Sequence, residues 1–292
     1  QNEALNIYRI VSLVLLPSLT RIDCNPAISA LCWNVVSQFP FQTRFSMYGI
    51  WKGDGLAKQG MDIKPLEVVY SESKTLHGAK TCLKRLSKEN TKVMGRQLAK
   101  YTHSCPLVVF NQILNQIEVY DNMIPFVVEA LKYTTELARD VMAYCLVSQL
   151  RKDSNKLKAG DTHYSGWFSA LSKFIGSFYK RYPTTELLGL LHYLLERMST
   201  GSSLDLLVLK ELLGRMGGCD TLLEVSTQQL EGLAGGRALQ AEVMGAQVKD
   251  NVNKKAVRIL REIMLSSGTA LPLLLFIAQS RNTILYQNNS NT

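Results

Sequence analysis

Apolar residues recur at three- and four-residue steps along almost the whole chain, and strict alternation over five or more residues is hard to find. The pattern therefore predicts helices and no sheet. Ala4, Leu5, Tyr8, Val11 and Leu15 fall at helical spacing, and Pro17 is expected to end that run because its ring blocks the preceding turn. Asn25-Pro26 reads as a helix start, a capping side chain followed by proline at the first helical position, and the helix should reach about Ser37. A short helix with an aromatic face (Phe41, Phe45, Tyr48) follows to Trp51. Turn residues then predict a loop over 53–65.

Two basic helices are expected over about 74–87 and 90–101, with Leu76, Ala79, Leu83 and Leu86 as the apolar seam of the first and Met94, Leu98 and Tyr101 as that of the second. Ser104 and Pro106 open a helix to Val119. Asp121-Asn122 should cap the next one, and Thr134 or Thr135 should start another that ends near Leu150. A polar link over 151–160 precedes a helix from Asp161 or Thr162 carrying Trp167, Phe168, Leu171, Phe174, Ile175 and Phe178. That spacing is the spacing of a core face rather than of a ligand box. Helices over 184–198 and 203–216 follow, with Gly201 and Gly217-Gly218 placed as C-caps. Residues 217–253 are glycine-containing and poor in apolar positions, with one short helix near 227–233. Helices over 254–265 and 271–280 come last.

A dozen or so helices of similar length with short links make an all-α chain. They favour an α-solenoid of antiparallel helix pairs, HEAT-like, over a bundle, although no strict repeat is found. We read 1–292 as one continuous helical segment in four stretches: 1–70, 71–216 with the basic residues, 217–253 with the glycines, and 254–292.

Composition narrows the classes. A chain of 292 residues, 46% hydrophobic and 20% charged, is too apolar to be disordered and long enough for a sizeable core. It starts without an initiator Met or a signal pattern, and is expected to be a piece of a longer chain. Its longest apolar runs, 11–16 and 271–278, fall short of the ~20 residues that a membrane span needs, so no membrane partner is expected. Six scattered cysteines with no C-x-x-C spacing read as reduced, intracellular thiols. The four histidines lie far apart and include no H-x-x-x-H. Neither a phosphate loop nor an acid/base pair is present. The chain is thus expected to be no enzyme, with no cofactor and no metal. His103, near Cys105, is expected to satisfy a helix end.

Charge is the sharpest feature. The net charge is +9, from 33 basic and 24 acidic residues. Eight Lys or Arg and two acids fall between Ser71 and His103, which gives +6 there and +3 elsewhere. Lys80, Lys84, Lys88, Lys92, Arg96 and Lys100 recur every four residues, with Lys74 and Arg85 beside them. Acids rarely offset them at the next turn, which costs helix stability by repulsion. Lys80, Lys84, Arg85, Lys88, Lys92, Arg96 and Lys100 are the candidate contact to RNA or to an acidic protein; a solvated face is the alternative. Aromatic residues are not interleaved with these lysines, so base stacking is not expected from the stripe.

Longer blocks carry a family resemblance. They include Pro17-Ser18-Leu19-Thr20-Arg21-Ile22-Asp23-Cys24-Asn25-Pro26, Gln38-Phe39-Pro40-Phe41-Gln42-Thr43-Arg44-Phe45-Ser46-Met47-Tyr48-Gly49, His103-Ser104-Cys105-Pro106, Gln116-Ile117-Glu118-Val119-Tyr120-Asp121-Asn122, Asp140-Val141-Met142-Ala143-Tyr144-Cys145 and Ser203-Leu204-Asp205-Leu206-Leu207. In this order they closely resemble the middle of the THO complex subunit 2 family. The resemblance implies a nuclear α-solenoid scaffold within the transcription–export assembly that packages mRNA and hands it to export factors. It implies other THO subunits as partners, subunit 1 foremost. It also implies a likeness to the helical middle domain of translation-initiation scaffolds, which grips DEAD-box RNA helicases. The corresponding partner here is the DEAD-box helicase of mRNA export.

Overall fold

The computed structural model describes residues 2–22, 24–54, 64–152, 155–158, 163–218, 227–239 and 253–289. It comprises two compact units, residues 1–171 with 185–193 and residues 172–184 with 194–292. Among the described residues the regular elements are helices, and one isolated antiparallel bridge joins Leu157 to Tyr164.

The first unit opens with α1 (Asn2–Ile10), which passes through a π-helical turn (Val11–Leu15) directly into α2 (Leu16–Leu19). Pro17 therefore does not end the run. It sits in the first turn of α2, where no N–H is needed, and the wider π turn before it relieves the clash of its ring with the preceding carbonyls. In α3 (Pro26–Val36) Asn25 caps as expected, its Oδ1 accepting the N–H groups of Ala27 at 3.0 Å and Ile28 at 3.4 Å. α4 (Phe41–Lys52) stops at Gly53, whose φ of 109° is open to glycine at no steric cost. Most of the loop expected after it lies outside the described residues.

Next come α5 (Leu66–Arg85) and α6 (Thr91–Ser104). α5 starts two turns before the expected Lys74. Of its early apolar residues Val68 is buried, but Leu66 is 85% exposed and Tyr70 72%, so the seam is hard to see in the sequence. α7 (Pro106–Val119) matches expectation and buries Leu107, Phe110, Ile113, Leu114 and Ile117. Asp121 and Asn122 do not cap a helix with their side chains. They form a 3-10 turn (Asp121–Met123) that leads into α8 (Ile124–Ala130) and a second turn (Leu131–Tyr133). α9 (Glu136–Leu150) is capped by the Thr135 hydroxyl, which accepts the Ala138 N–H at 3.4 Å.

Packing follows chain order. α5 lies against α6 and α7, α6 against α7 and α8, and α7 against α9, while α3 and α4 also meet α9. Gly95 allows α6 to close on α8, since a Cβ there would stand 3.0 Å from the Ala130 Cα. At the junction of α4 and α9 the core holds a charged cluster. Arg44 donates from Nε and Nη2 to both oxygens of Asp140 (2.9 and 3.0 Å), from Nη2 to Glu186 (2.7 Å) and from Nη1 to the Phe39 carbonyl (2.8 Å). The Tyr48 hydroxyl donates to Asp140 at 2.7 Å, and the Trp33 ring lies 5.6 Å from the guanidinium. Burial pushes the Asp140 carboxyl up from its ordinary value, and Arg44 and Tyr48 oppose that push. The polar link beyond α9 is less solvated than expected. Lys156 is buried, donating to the Tyr193 hydroxyl at 3.0 Å, with the Phe168 ring 5.3 Å away.

The second unit takes α10 (Gly166–Arg181) from Ser172 onward, α11 (Leu188–Ser199) from Leu194, α12 (Leu206–Arg215), α13 (Thr227–Ala234), and the helices Lys254–Ser266 and Ala270–Asn289. The start of α10 expected at Asp161 or Thr162 falls outside the described residues. Phe168, Leu171, Phe174, Ile175 and Phe178 are core, as their spacing predicts. Trp167 is only half-buried, its indole N–H donating to the Asn155 carbonyl at 3.1 Å. α10 and α12 cross in close contact at Gly176, where a Cβ would collide with the Glu211 carbonyl. Gly201 and Gly218 adopt positive φ, 82° and 71°, as their cap positions predict. Of the stretch 217–253, residues 219–226 and 240–252 lie outside the described ones.

Candidate functional site

The seven candidate basic residues are all exposed. Lys80, Lys84 and Arg85 lie on α5, Lys88 lies in the turn after it, and Lys92, Arg96 and Lys100 lie on α6. None makes an ion pair with a described residue. They do not form one stripe. The buried face of α5 is set by Val68, Thr75, Ala79, Cys82 and Leu83. At ~100° per residue, Lys80 and Lys84 project from one flank of that face and Lys74 and Arg85 from the other.

On the Lys74 flank the structure gathers a second group. An open groove of about 620 Å³ lies between the first half of α5, the outward face of α6 and residues 20–22 and 24. Its cations are Arg21, Lys74, Arg96 and Lys100, its rings are Tyr70 and Tyr101, and among the described residues no carboxylate lines it. Lys80, Lys84, Arg85, Lys88 and Lys92 are not part of it. No aromatic residue falls within the row from Lys80 to Lys100, but the groove adds two at its edges: Tyr70, one turn before Lys74, and Tyr101, directly after Lys100.

Each wall is held in place. The Cys24 N–H donates to the Ser104 hydroxyl at 3.1 Å, and that hydroxyl donates to the Ile22 carbonyl at 2.6 Å, which ties Ile22 and Cys24 to the end of α6. Glu67 pairs with Arg21 at the rim, both side chains more than half exposed. Such a pair is worth only ~0–1 kcal/mol, so a phosphate can compete for the arginine. Arg96 stands over the Tyr133 ring at 5.6 Å. Tyr101 packs against Gly78, which gives it room: a Cβ on Gly78 would be 2.5 Å from the ring. Sequence reading missed Arg21, Tyr70 and Tyr101 as site residues. The only signal available for Tyr70 was its four-residue step before Lys74.

The remaining candidates show no arranged chemistry. Among the described residues no three His, Cys, Asp or Glu side chains gather to hold a metal ion. His103 lies in the last turn of α6, yet its buried Nδ1 has no hydrogen-bond partner there, and burial lowers its pKa from the ordinary value. The five described cysteines are free. Burial pushes the Cys105 thiol up to about 11 and Cys145 to about 12, which keeps both protonated and poor nucleophiles near neutrality. Among the described residues no single helix is long and apolar enough to cross a membrane.

Comparison with known proteins gives a consistent picture. Residues 1–96 match the family described as THO complex subunit 2 N-terminus, and residues 98–172 match the family described as Transcription- and export-related complex subunit. THO complex subunit 2 of Homo sapiens is 39% identical over 276 residues, which cover 94% of this chain and 17% of that protein. THO complex subunit 2 of Arabidopsis thaliana is 35% identical over 277 residues, 93% of this chain and 15% of the relative. That of Saccharomyces cerevisiae is 28% identical over 224 residues, 77% and 14%. The chain thus spans about a sixth of the length of the relatives it matches.

Proposed function

The chain belongs to the THO complex subunit 2 family, and from that premise we propose that it is a non-enzymatic scaffold segment of the nuclear THO complex. It helps couple transcription to mRNA packaging and export by binding other THO subunits, subunit 1 foremost, and the DEAD-box RNA helicase of mRNA export. The observation that carries this reading is the match to THO complex subunit 2 over 94% of the chain. Two structural features support it. In the first unit α5 packs on α6 and α7, and α6 on α7 and α8. Packing between near neighbours along the chain supports the α-solenoid reading, a fold that offers extended surfaces to partners. In the second unit the helix Ala270–Asn289 leaves Leu271, Leu274 and Leu275 exposed, as a protein-binding face does.

The test is co-precipitation of the folded 292-residue chain with purified export helicase and, separately, with THO subunit 1. Binding to either supports the scaffold reading. Binding to neither, with helicity verified by circular dichroism, overturns it.

A second reading is favoured by one observation: seven exposed cations that no described acid neutralises. In this reading the segment also touches RNA directly.

A further inference from the structure

We propose that the groove between α5, α6 and residues 20–22 and 24 is a binding site for single-stranded RNA, with Tyr70 and Tyr101 as base-stacking surfaces and Arg21, Lys74, Arg96 and Lys100 as phosphate contacts. The inference rests on the RNA reading above and gives it a location. It moves the contact away from the outer lysines, Lys80 and Lys84, which the sequence alone puts forward.

Three observations support the site. First, its composition has two parts. A groove that serves a folded acidic protein needs cations, but it has no need of open tyrosine rings among them. A single strand needs both, since it presents a phosphate chain and unstacked bases together. Tyr70 is 72% exposed, so it reaches the solvent with a free ring face at the groove mouth. Second, the cations are available. Lys74 and Lys100 make no ion pair with a described residue, Arg96 rests only on a ring, and Arg21 is held by one exposed carboxylate. Third, the size fits. A volume of about 620 Å³ lies within the ~300–1,000 Å³ of sites that enclose small organic groups, while a rigid duplex is too wide to enter such a space.

Ser71 and Gln97 supply a hydroxyl and an amide along the walls. These can reach base edges or a 2′-hydroxyl, the group by which proteins tell RNA from DNA. The pinned Ile22 and Cys24 and the seat of Tyr101 on Gly78 hold the walls before any ligand arrives, so little ordering is left for binding.

The experiment measures fluorescence anisotropy of a labelled oligouridine of about 12 nucleotides, within the ~4–16-nucleotide footprints of single-strand sites. It compares the wild-type chain with K74Q/K100Q, K80Q/K84Q and Y70A. The two double variants remove equal charge, so any difference between them reports position. All substituted side chains are exposed, and equal thermal midpoints verify the fold. The expected result is weakening by roughly tenfold or more for K74Q/K100Q, with the salt slope of log K shallower by about 1.4. Y70A should weaken binding by roughly tenfold. K80Q/K84Q should stay within about twofold, and duplex RNA should bind worse than oligouridine.

No binding of any RNA by wild type overturns the RNA reading itself. Binding that K80Q/K84Q weakens as much as K74Q/K100Q leaves that reading standing and overturns the groove assignment. Unchanged affinity in Y70A, or equal binding of duplex, overturns the stacking of a single strand. A polyglutamate peptide that binds more tightly than oligouridine assigns the groove to an acidic protein instead.

Discussion

The buried cluster around Arg44 and the groove beside Lys74 are built from the same kinds of side chain, arginine and tyrosine with a few neighbours. They put them to opposite uses. Arg44 spends its donors on two carboxylates and a carbonyl, and Tyr48 fills a further site on Asp140. In the groove, Lys74 and Lys100 have no acidic partner among the described residues and Tyr70 faces water. One cluster is satisfied and dry, which fixes how α4 meets α9. The other is unsatisfied and wet, which leaves it available to a ligand. Charge alone does not mark a binding site; what matters is whether the fold has already answered the charge.

The largest effect should come from breaking the dry cluster. D140A strips Arg44 of its bidentate partner inside the core and should cost about 3–5 kcal/mol of stability by urea unfolding. A loss under about 1 kcal/mol would mean that water reaches the pair and that the contrast with the groove is false. Y48F removes one donor from the Asp140 carboxylate and should cost about 1.5–3 kcal/mol.

His103 sharpens the contrast because it is half-buried and its buried Nδ1 is unanswered. Its lowered pKa means that the folded chain binds a proton less readily than the unfolded chain. Stability should therefore be full above the unfolded-chain value of ~6.5 and fall as pH drops through it toward the lower folded value. H103N should flatten the decline of the thermal midpoint between about pH 7 and 5.5 relative to wild type; parallel curves would show that the imidazole is solvated. The smallest effect is expected in the groove, where K74Q/K100Q should shift stability by no more than about 0.5 kcal/mol. A loss comparable to that of Y48F would show that these lysines hold the fold together.

The helices were legible in the sequence because their cores repeat at helical spacing, as in α7 and α9. Misreadings occur where a local rule met a tertiary exception. Pro17 breaks an α-helix but fits after a π turn. Most apolar residues in the first two turns of α5 face out, so the pattern hides them. The Arg44 cluster was out of reach, since Asp140 and Glu186 stand 96 and 142 residues away along the chain. The groove was half legible. Its α6 cations belong to the four-residue row, but Arg21 arrives from the far side of a loop, and spacing on one helix gives no sign of it.

Gly78 has a consequence for how the groove can be tuned. The Tyr101 ring rests where any larger residue would put its first carbon. Alanine there must shift the ring, and because Gly78 is not among the groove's lining residues, the change alters the groove's shape without touching its charge. Shape and charge are thus separate dials on this surface, one turned at a position that does not line the groove.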